Sequence, residues 1–183
     1  MGMFILCDTC SILMLLRIAP EMFTDARYGC VTIRQVWEEI MQTQKFKSKY
    51  PWRKEYGKHI RSLSKSEVEP ADFQQTLHTV KITEQVQRNS RTGKKYGLSR
   101  RDIEIAACAV ANKFSVCSTD DNFVDFLAQQ FDTSNMSPLQ LINDWLDMGL
   151  FEWTDFRQGI LTEWIACKEP AQPHHEIQRF EKI

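Results

Sequence analysis

The chain has 183 residues, of which 43% are hydrophobic, and a formal net charge of −1. This size suits one compact domain with an appendage and needs no disulfide for stability. No apolar run approaches the roughly 20 residues that cross a bilayer, and the N-terminus lacks the basic region and cleavage site of a secretory signal. We therefore expect a cytoplasmic protein with reduced cysteines, and neither a membrane protein nor a secreted one.

The charge is unevenly distributed along the sequence. Residues 42–65 carry eight Lys and Arg and one acid, a net charge of +7. Residues 81–101 carry a net charge of +6, and residues 120–183 carry −8. A merely solvated surface does not require such segregation, so the two basic segments are candidates for contact with an anionic partner.

The first third of the chain predicts two buried strands, each followed by a helix. Residues 3–7 form a short apolar run typical of a strand that is buried on both faces, and Asp8 follows it directly. A helix then runs to about Pro20. A second strand is predicted at 29–31, and Thr32 begins a capping-box pattern that opens the next helix. Glu38 and Glu39 both flank the apolar face of that helix, and periodicity does not choose between them.

The middle of the chain is polar and basic. Residues 42–76 have no strand pattern and are predicted as one or two helices broken at Pro51 and Pro70. A third strand is predicted at 79–82. Residues 89–97 form a basic loop that holds two glycines.

The segment from Leu98 to Phe123 predicts a capped helix, a buried strand and an acidic turn. Ser99 is a good N-cap with Asp102 three residues later. The strand is predicted at 114–117 and runs into Asp120 and Asp121. A weak fifth strand at 131–135 and helices capped by Ser137 and Thr154 follow, and then a polar tail. We divide the chain into a domain at 1–147, with a basic helical insertion at 42–76, and a C-terminal extension at 148–183.

This alternation of strands and helices predicts a three-layer α/β/α fold with a central, mostly parallel sheet of four or five strands. Ligands bind at the carboxyl ends of the strands in such sheets. Asp8 and Asp120 end two strands, while Asp102 and one of the two glutamates begin helices near the same edge. The sequence therefore predicts that four acids converge there.

Converging carboxylates require a counterion. Two of them about 4 Å apart repel by roughly 4 kcal/mol at an effective dielectric constant near 20. A set of oxygen ligands selects Mg²⁺ or Mn²⁺. Each acid also has an ordinary alternative role: the aspartates as helix caps, and the glutamates as solvent-facing helix residues. The metal site has the advantage of explaining all the placements together.

Four motifs, in this order, resemble the PIN-domain nucleases over about residues 3–145. These are an apolar strand running into Asp-Thr (FILCDT), a Glu before an aliphatic residue (VWEEI), a Leu-Ser-x-x-Asp helix start (LSRRD), and a strand followed by a hydroxyl and an Asp three residues before an aromatic (CSTDDNF). The resemblance selects Glu39 over Glu38. It also selects Asp120, with Asp121 as the register alternative, and Ser118 as the hydroxyl.

The resemblance implies a Mg²⁺- or Mn²⁺-dependent endoribonuclease. Its catalytic acids would be Asp8, Glu39, Asp102 and Asp120, with Asp121 as a further metal ligand and with Thr9 and Ser118 in support. Many members of this family are toxins of toxin–antitoxin pairs and dimerise, so an antitoxin protein and a homodimer are implied partners. This chain is longer than the compact toxins, by the basic insertion and the C-terminal extension.

Two groups of basic residues are candidates for RNA binding. The first leads directly to Asp102 and consists of Arg91, Lys94, Lys95, Arg100 and Arg101. The second, within residues 42–65, is interleaved with aromatic residues. Those rings either stack on unpaired bases, at roughly 1–3 kcal/mol each, or pack on the domain, and the sequence leaves both interpretations open.

Two other functions are compatible with the sequence. One is a PIN-like scaffold that binds RNA or protein without cleaving it. The other is a thiol oxidoreductase, because Cys7 and Cys10 form a C-x-x-C at a strand-to-helix junction. The intervening Asp8 disfavours a thiolate there, so we expect redox function least.

Overall fold

The computed structural model describes residues 4–166 of the chain. In this range five parallel strands form a sheet with helices on both faces, which confirms the predicted three-layer α/β/α fold. The strands are β1 (Ile5–Cys7), β2 (Cys30–Ile33), β3 (Ser62–Leu63), β4 (Ser115–Cys117) and β5 (Asn135–Met136). Their order across the sheet is β3-β2-β1-β4-β5.

Ten α-helices connect and flank the strands of the described range. They are α1 (Thr9–Ile18), α2 (Arg34–Gln42), α3 (Gln44–Lys49), α4 (Arg53–Tyr56), α5 (Lys65–Val68), α6 (Phe73–Val86), α7 (Arg100–Asn112), α8 (Asp121–Phe131), α9 (Pro138–Asp147) and α10 (Asp155–Ala166). Two short 3₁₀ helices lie at Pro20–Phe23 and Gly57–His59. None of these helices combines the length and apolarity that crossing a membrane requires. The predicted polar tail lies outside the described residues.

The central strand β1 is buried because it pairs on both sides and is covered on both faces. Leu6 is in register with Val31 of β2 and with Val116 of β4, and all three side chains are inaccessible to solvent. A short, unbroken apolar run is what such a position requires. The strand therefore ends where the run ends, at Cys7, and Asp8 emerges at the edge of the sheet.

The fifth strand lies later than predicted, at Asn135–Met136, because Phe131 still belongs to α8. Three other local predictions were wrong. Residues 79–82 lie within α6 and not in a strand: Val80 is buried, and the hydroxyl of Thr79 donates to the carbonyl of Gln75 one turn earlier. Thr32 lies in β2 and donates to the carbonyl of Cys7, so α2 begins without the predicted capping box. Finally, β3 arises inside the segment that was predicted to hold no strand, because two residues are too short to show a period.

The insertion and the C-terminal helix are parts of the same folded body. Ile160, Leu161 and Trp164 of α10 belong to the core that also holds α1. Arg157 donates to the carbonyl of Ile18 at 2.8 Å. Residues of α10 therefore stabilise the α/β domain, and β3 of the insertion extends its sheet.

Candidate active site

The strand order reverses between β1 and β4, and we call the carboxyl ends of these two strands the crevice. From β1 the chain proceeds outward in one direction through β2 and β3, and in the other through β4 and β5. In sheets of this kind the loops that follow the two central strands diverge, and ligands bind at that end. Cys7 and Cys117 end the two strands in register. The residues that follow them, Asp8 and Ser118, line this position.

Asp8 is the buried centre of the crevice, with only 8% of its surface exposed. Its Oδ1 accepts a hydrogen bond of 2.7 Å from the backbone N–H of Ser11, which caps α1. Its Oδ2 accepts from the hydroxyl of Ser118 across the crevice. Burial raises the pKa of the Asp8 carboxyl, the bonds from Ser118 and Ser11 lower it, and the charge of Asp102 raises it further.

Asp102 completes a capping box at the start of α7 and also belongs to the acidic group. Its Oδ2 accepts from the N–H of Ser99 at 2.8 Å, and the Ser99 hydroxyl accepts from the N–H of Asp102 at 3.2 Å. Burial raises the pKa of Asp102, the bonds to Ser99 lower it, and the charges of Asp120 and Glu39 raise it. The fold therefore brings these acids into one electrostatic neighbourhood, which we call the acidic edge: Asp8, Glu39, Asp102 and Asp120.

The two adjacent aspartates after β4 have different surroundings. The N–H of Asp120 donates to the Ser118 hydroxyl at 3.1 Å, and Asp120 Oδ1 caps α8 by accepting from Phe123 at 3.0 Å. The hydroxyl of Ser118 therefore contacts both Asp120 and Asp8. The Asp121 side chain is 85% exposed and lies 3.7 Å from the guanidinium of Arg91. This placement favours Asp120 as the ligand and leaves Asp121 on the outer surface.

Glu39 and Glu38 are distinguished by their partners. The hydroxyl of Thr9 donates to Glu39 Oε2 at 2.7 Å, which ties α2 to the start of α1. Glu38 instead forms an ion pair with Arg34 one turn earlier, at 2.9 Å. Glu39 is therefore the glutamate at the acidic edge. The hydroxyls of Thr9 and Ser118, which were predicted to support the site, contact Glu39 and Asp8.

The donor set fits a hard divalent ion in its chemistry, because carboxylate and hydroxyl oxygens are the ligands of Mg²⁺ and Mn²⁺. The caps of Asp102 and Asp120 each use one carboxylate oxygen, so capping and ligation are compatible roles. Both oxygens of Asp8 accept hydrogen bonds, so Asp8 would bind an ion through a remaining lone pair. Among residues 4–166, no three His, Cys, Asp or Glu side chains are already placed to hold a metal ion. The metal site stays a prediction.

The five basic residues predicted to bind RNA are divided between ion pairs and open surface. Arg91 lies 2.9 Å from Asp125, and Arg100 and Arg101 both pair with Glu104. Lys94 and Lys95 are exposed in the loop before α7. Arg101 also approaches Glu39 of the acidic edge, at 4.0 Å. Arg101 thus places positive charge beside the acidic edge.

The C-x-x-C pair lacks the properties of a redox site. Cys7 is fully buried at the end of β1, and its pKa is raised. Cys10 reaches the surface, but most of its thiol is surrounded by protein. This desolvation and the charges of Asp8, Glu39 and Asp120 raise its pKa to about 11. A redox thiol needs the opposite shift.

One residue of the site was missed from the sequence. Ser11 is fully buried and contacts both sides of the crevice: its N–H binds Asp8, and its hydroxyl donates to the carbonyl of Cys117 at 2.9 Å. The spacing Asp-x-x-Ser after the first strand is the local signal for the cap. Nothing local indicates the bond to β4.

The fold and this site define a doubly wound α/β protein with an acidic crevice at the reversal point of its sheet. Comparison of the chain with family models, with curated proteins and with solved structures finds no match in any of the three.

Proposed function

We propose that the protein is a metal-dependent endoribonuclease that hydrolyses RNA phosphodiesters at the acidic edge. The observation that carries the proposal is the buried Asp8 carboxylate, which is bonded to Ser118 across the crevice and lies in the field of Asp102. Such an arrangement opposes folding at neutral pH unless a cation compensates it. Groups kept in an unfavourable environment within a crevice are typical of functional sites.

Asp8, Asp102 and Asp120 would hold Mg²⁺ or Mn²⁺, with Glu39 beside them. When bound, such an ion polarises a phosphate and lowers the pKa of water. The chain's own groups prepare the site: Ser11 and Ser118 fix the Asp8 rotamer, and Thr9 holds Glu39 by Oε2. Glu39 would accept the proton of the attacking water while the bond from phosphorus to the leaving ribose oxygen breaks, and that oxygen would take a proton from solvent water. The order imposed by these bonds lowers the cost of reaching a productive geometry.

A second candidate keeps RNA binding but omits cleavage. It is favoured by Arg101, whose guanidinium approaches Glu39 and supplies positive charge without a metal. In this alternative the acidic edge is a structural ion-pair network. The antitoxin and the homodimer that the resemblance implies stay predictions of either candidate.

The two candidates are separated by an RNA cleavage assay. End-labelled single-stranded RNA is incubated with wild type, Asp8→Asn and Asp102→Asn in Mg²⁺, Mn²⁺ or EDTA. We expect cleavage by the wild type only, with a loss of at least about 100-fold in each variant, as for other groups that organise a metal site. Asp144→Asn is the matched control, because Asp144 is an exposed acid on α9.

Metal binding is measured independently by thermal unfolding. An ion at 100 times its Kd stabilises the folded protein by about 2.7 kcal/mol, which is roughly 5–11 °C for a chain of this size. We expect Mn²⁺ to produce this shift in wild type and Asp144→Asn, but not in Asp8→Asn. Equal cleavage by all variants would assign the activity to a contaminant. An absence of both cleavage and thermal shift would favour the scaffold.

A further inference from the structure

The basic loop at residues 89–97 is held by two buried side chains. Asn89 has no exposed surface and Tyr96 has only 1%, whereas the six residues between them are all exposed. The N–H of Asn89 donates to the carbonyl of Lys94 at 2.9 Å, and the N–H of Gly93 donates to the carbonyl of Asn89 at 2.8 Å. Gly93 turns the chain at a φ of 69°, which residues with side chains rarely adopt. The loop is therefore a closed turn with an exposed tip.

The side chain of Asn89 joins the loop to α8. Its Oδ1 accepts from the N–H of Arg91 at 2.9 Å and from the N–H of Thr92 at 3.3 Å. Its Nδ2 donates to Oδ2 of Asp125, on α8, at 2.8 Å. A buried amide group is costly unless its hydrogen bonds are made. These bonds therefore fix both the shape of the loop and its position on the helix.

A second group of contacts holds the other end of the loop to the same helix. Gln129 Oε1 accepts from the N–H of Ser90 at 2.9 Å and from the hydroxyl of Tyr96 at 2.8 Å. Gln130 donates to that hydroxyl at 3.0 Å. The ring of Tyr96 packs edge-to-face on Phe126, with 5.0 Å between their centroids. The loop thus has two separate anchors on α8.

This anchored loop lies beside the acidic edge. The helix that holds it begins with Asp120 as its cap, and the guanidinium of Arg91 lies 3.7 Å from the next residue, Asp121. At its other end the loop leads into α7, where Ser99 and Asp102 form the capping box. Two members of the acidic edge therefore follow directly from the elements that hold the loop.

The cations of the loop differ in how they are compensated. Arg91 forms ion pairs with Asp125, at 2.9 Å, and Asp121. Lys94 and Lys95 are exposed, and neither forms an ion pair within residues 4–166. The uncompensated charge of the loop therefore comes from two adjacent lysines at its tip. Regularly spaced anions, such as the phosphates of a nucleic acid, can contact both at once.

We propose that Asn89 is a positioning residue for RNA binding. It holds the basic loop on α8 so that Lys94 and Lys95 contact phosphates that flank the one at the acidic edge. The fixed loop lowers the ordering cost of these contacts, although Asn89 itself does not touch the RNA. This inference rests on the proposed function and adds to it the part of the chain that aligns the substrate.

The contribution of the lysines is measured first. A fluorescent 12-nucleotide oligouridylate is titrated with the full chain in the Asp8→Asn background, so that binding is measured without turnover. Replacing Lys94 and Lys95 by Gln should reduce the slope of log Kd against log salt by about 1.4, which is about 25-fold in Kd at 0.1 M salt. Lys113→Gln is the control and should leave the slope unchanged, because Lys113 is exposed at the opposite, amino end of β4.

The role of Asn89 is measured by coupling. Asn89→Ala alone should reduce the slope by at least about 0.7. In the protein that already lacks both lysines, the same substitution should change Kd by less than about 2-fold, because the cations that it positions are absent. A merely structural role would instead lower the melting temperature and leave the slope of the folded protein unchanged. Circular dichroism at the binding temperature verifies that each variant is folded.

A second variant keeps the test decisive where Asn89→Ala does not fold. Gln129 is an exposed residue of α8, and Gln129→Ala removes the other anchor of the loop. We expect a loss of about 3-fold in Kd, which disappears in the protein without Lys94 and Lys95. If the wild type cleaves RNA, the Asn89 and lysine variants made without Asp8→Asn should raise KM and leave kcat within about 2-fold.

The outcomes separate this inference from the proposed function. An unchanged slope, or a loss that is equal with and without the lysines, overturns the role of Asn89 whether or not the wild type cleaves RNA. Coupled losses with no cleavage support the role of Asn89 and refute the nuclease. Failure of the oligouridylate and of a mixed-sequence RNA to bind, or tighter binding of a polyglutamate peptide, refutes the inference, and the cleavage assay then decides the nuclease separately.

Discussion

Replacing Arg53 by Met tests whether the basic insertion is a structural part of the domain. Arg53 carries a positive charge within residues 42–65, yet only 1% of its surface is exposed. Its Nε donates to the carbonyl of Ile40 at 2.9 Å, and its Nη1 donates to that of Tyr50 at 3.2 Å. Longer bonds of 3.5 Å reach Lys47 and Met41. The carbonyls of Ile40, Met41 and Lys47 belong to the last turns of α2 and α3, where carbonyls lack partners within the helix. The carbonyl of Tyr50, which follows α3, also accepts from the backbone N–H of Arg53 at 3.1 Å.

The magnitude follows from these bonds. A hydrogen bond from a charged donor contributes about 1.5–3 kcal/mol, and the two bonds at 3.5 Å are too long to add much. Loss of the guanidinium also removes the donor to the carbonyl of the buried Ile40, whereas relief of the buried charge offsets part of this cost. We therefore expect Arg53→Met to lower the free energy of unfolding by about 3–5 kcal/mol, a large fraction of the 5–15 kcal/mol typical of a domain.

The assay is urea unfolding followed by circular dichroism and tryptophan fluorescence. The control is Lys54→Met, which removes a neighbouring exposed charge and should change stability by less than about 0.5 kcal/mol. In a thermal scan the Arg53 variant should melt roughly 6–20 °C below wild type. A loss below 1 kcal/mol for Arg53→Met would refute the reasoning. The insertion would then be a peripheral arm, and its aromatic residues would lack a rigid support.

Two further predictions concern the acidic edge. In EDTA at pH 7, Asp8→Asn should raise the free energy of unfolding by roughly 0.5–2 kcal/mol, because Asn keeps the cap and removes a buried charge. The folded-state pKa of Asp8 is raised, so the wild type loses stability as the pH rises through that pKa. The stability gained by Asp8→Asn should therefore vanish toward pH 4, which urea titrations measure. A destabilised Asp8→Asn protein would instead show that Asp8 is a structural cap. Cys10, with a pKa of about 11, should react with iodoacetamide at pH 7.5 about 100-fold more slowly than free cysteine. Mass spectrometry measures this rate, and a fast reaction would restore the thiol oxidoreductase as a candidate.

Helix starts were the most predictable features of this chain. Ser99, Ser137 and Thr154 were expected to begin helices, and each accepts a backbone hydrogen bond three residues later. A cap involves only a few consecutive residues, so the local sequence is enough to predict it. Thr32 has the same pattern, but it does not cap a helix. It lies in β2, which pairs with β1 and β3, and its hydroxyl donates to the carbonyl of Cys7.

The strand predicted at 79–82 failed for a related reason. Thr79, Val80 and Ile82 are β-branched, which favours a strand in isolation. In the folded chain, α6 packs along α7, and a 14-residue helix buries Phe73 and Val80 on that side. Tertiary packing therefore outweighed local propensity. It placed Ile82 on the surface, where nothing local had indicated it.

The sequence by itself determined that acids end β1 and follow β4, because strand ends and helix caps depend on neighbouring residues. It also determined the α/β class, since alternating strands and helices have few other ways to bury their apolar faces. Only the tertiary structure decided the contacts within the site. Asp8 meets Ser118 from 110 residues away, and Thr9 selects Glu39 from 30 residues away. The burial of Arg53 also depends on helices that are brought together by folding, and no local pattern encodes such contacts.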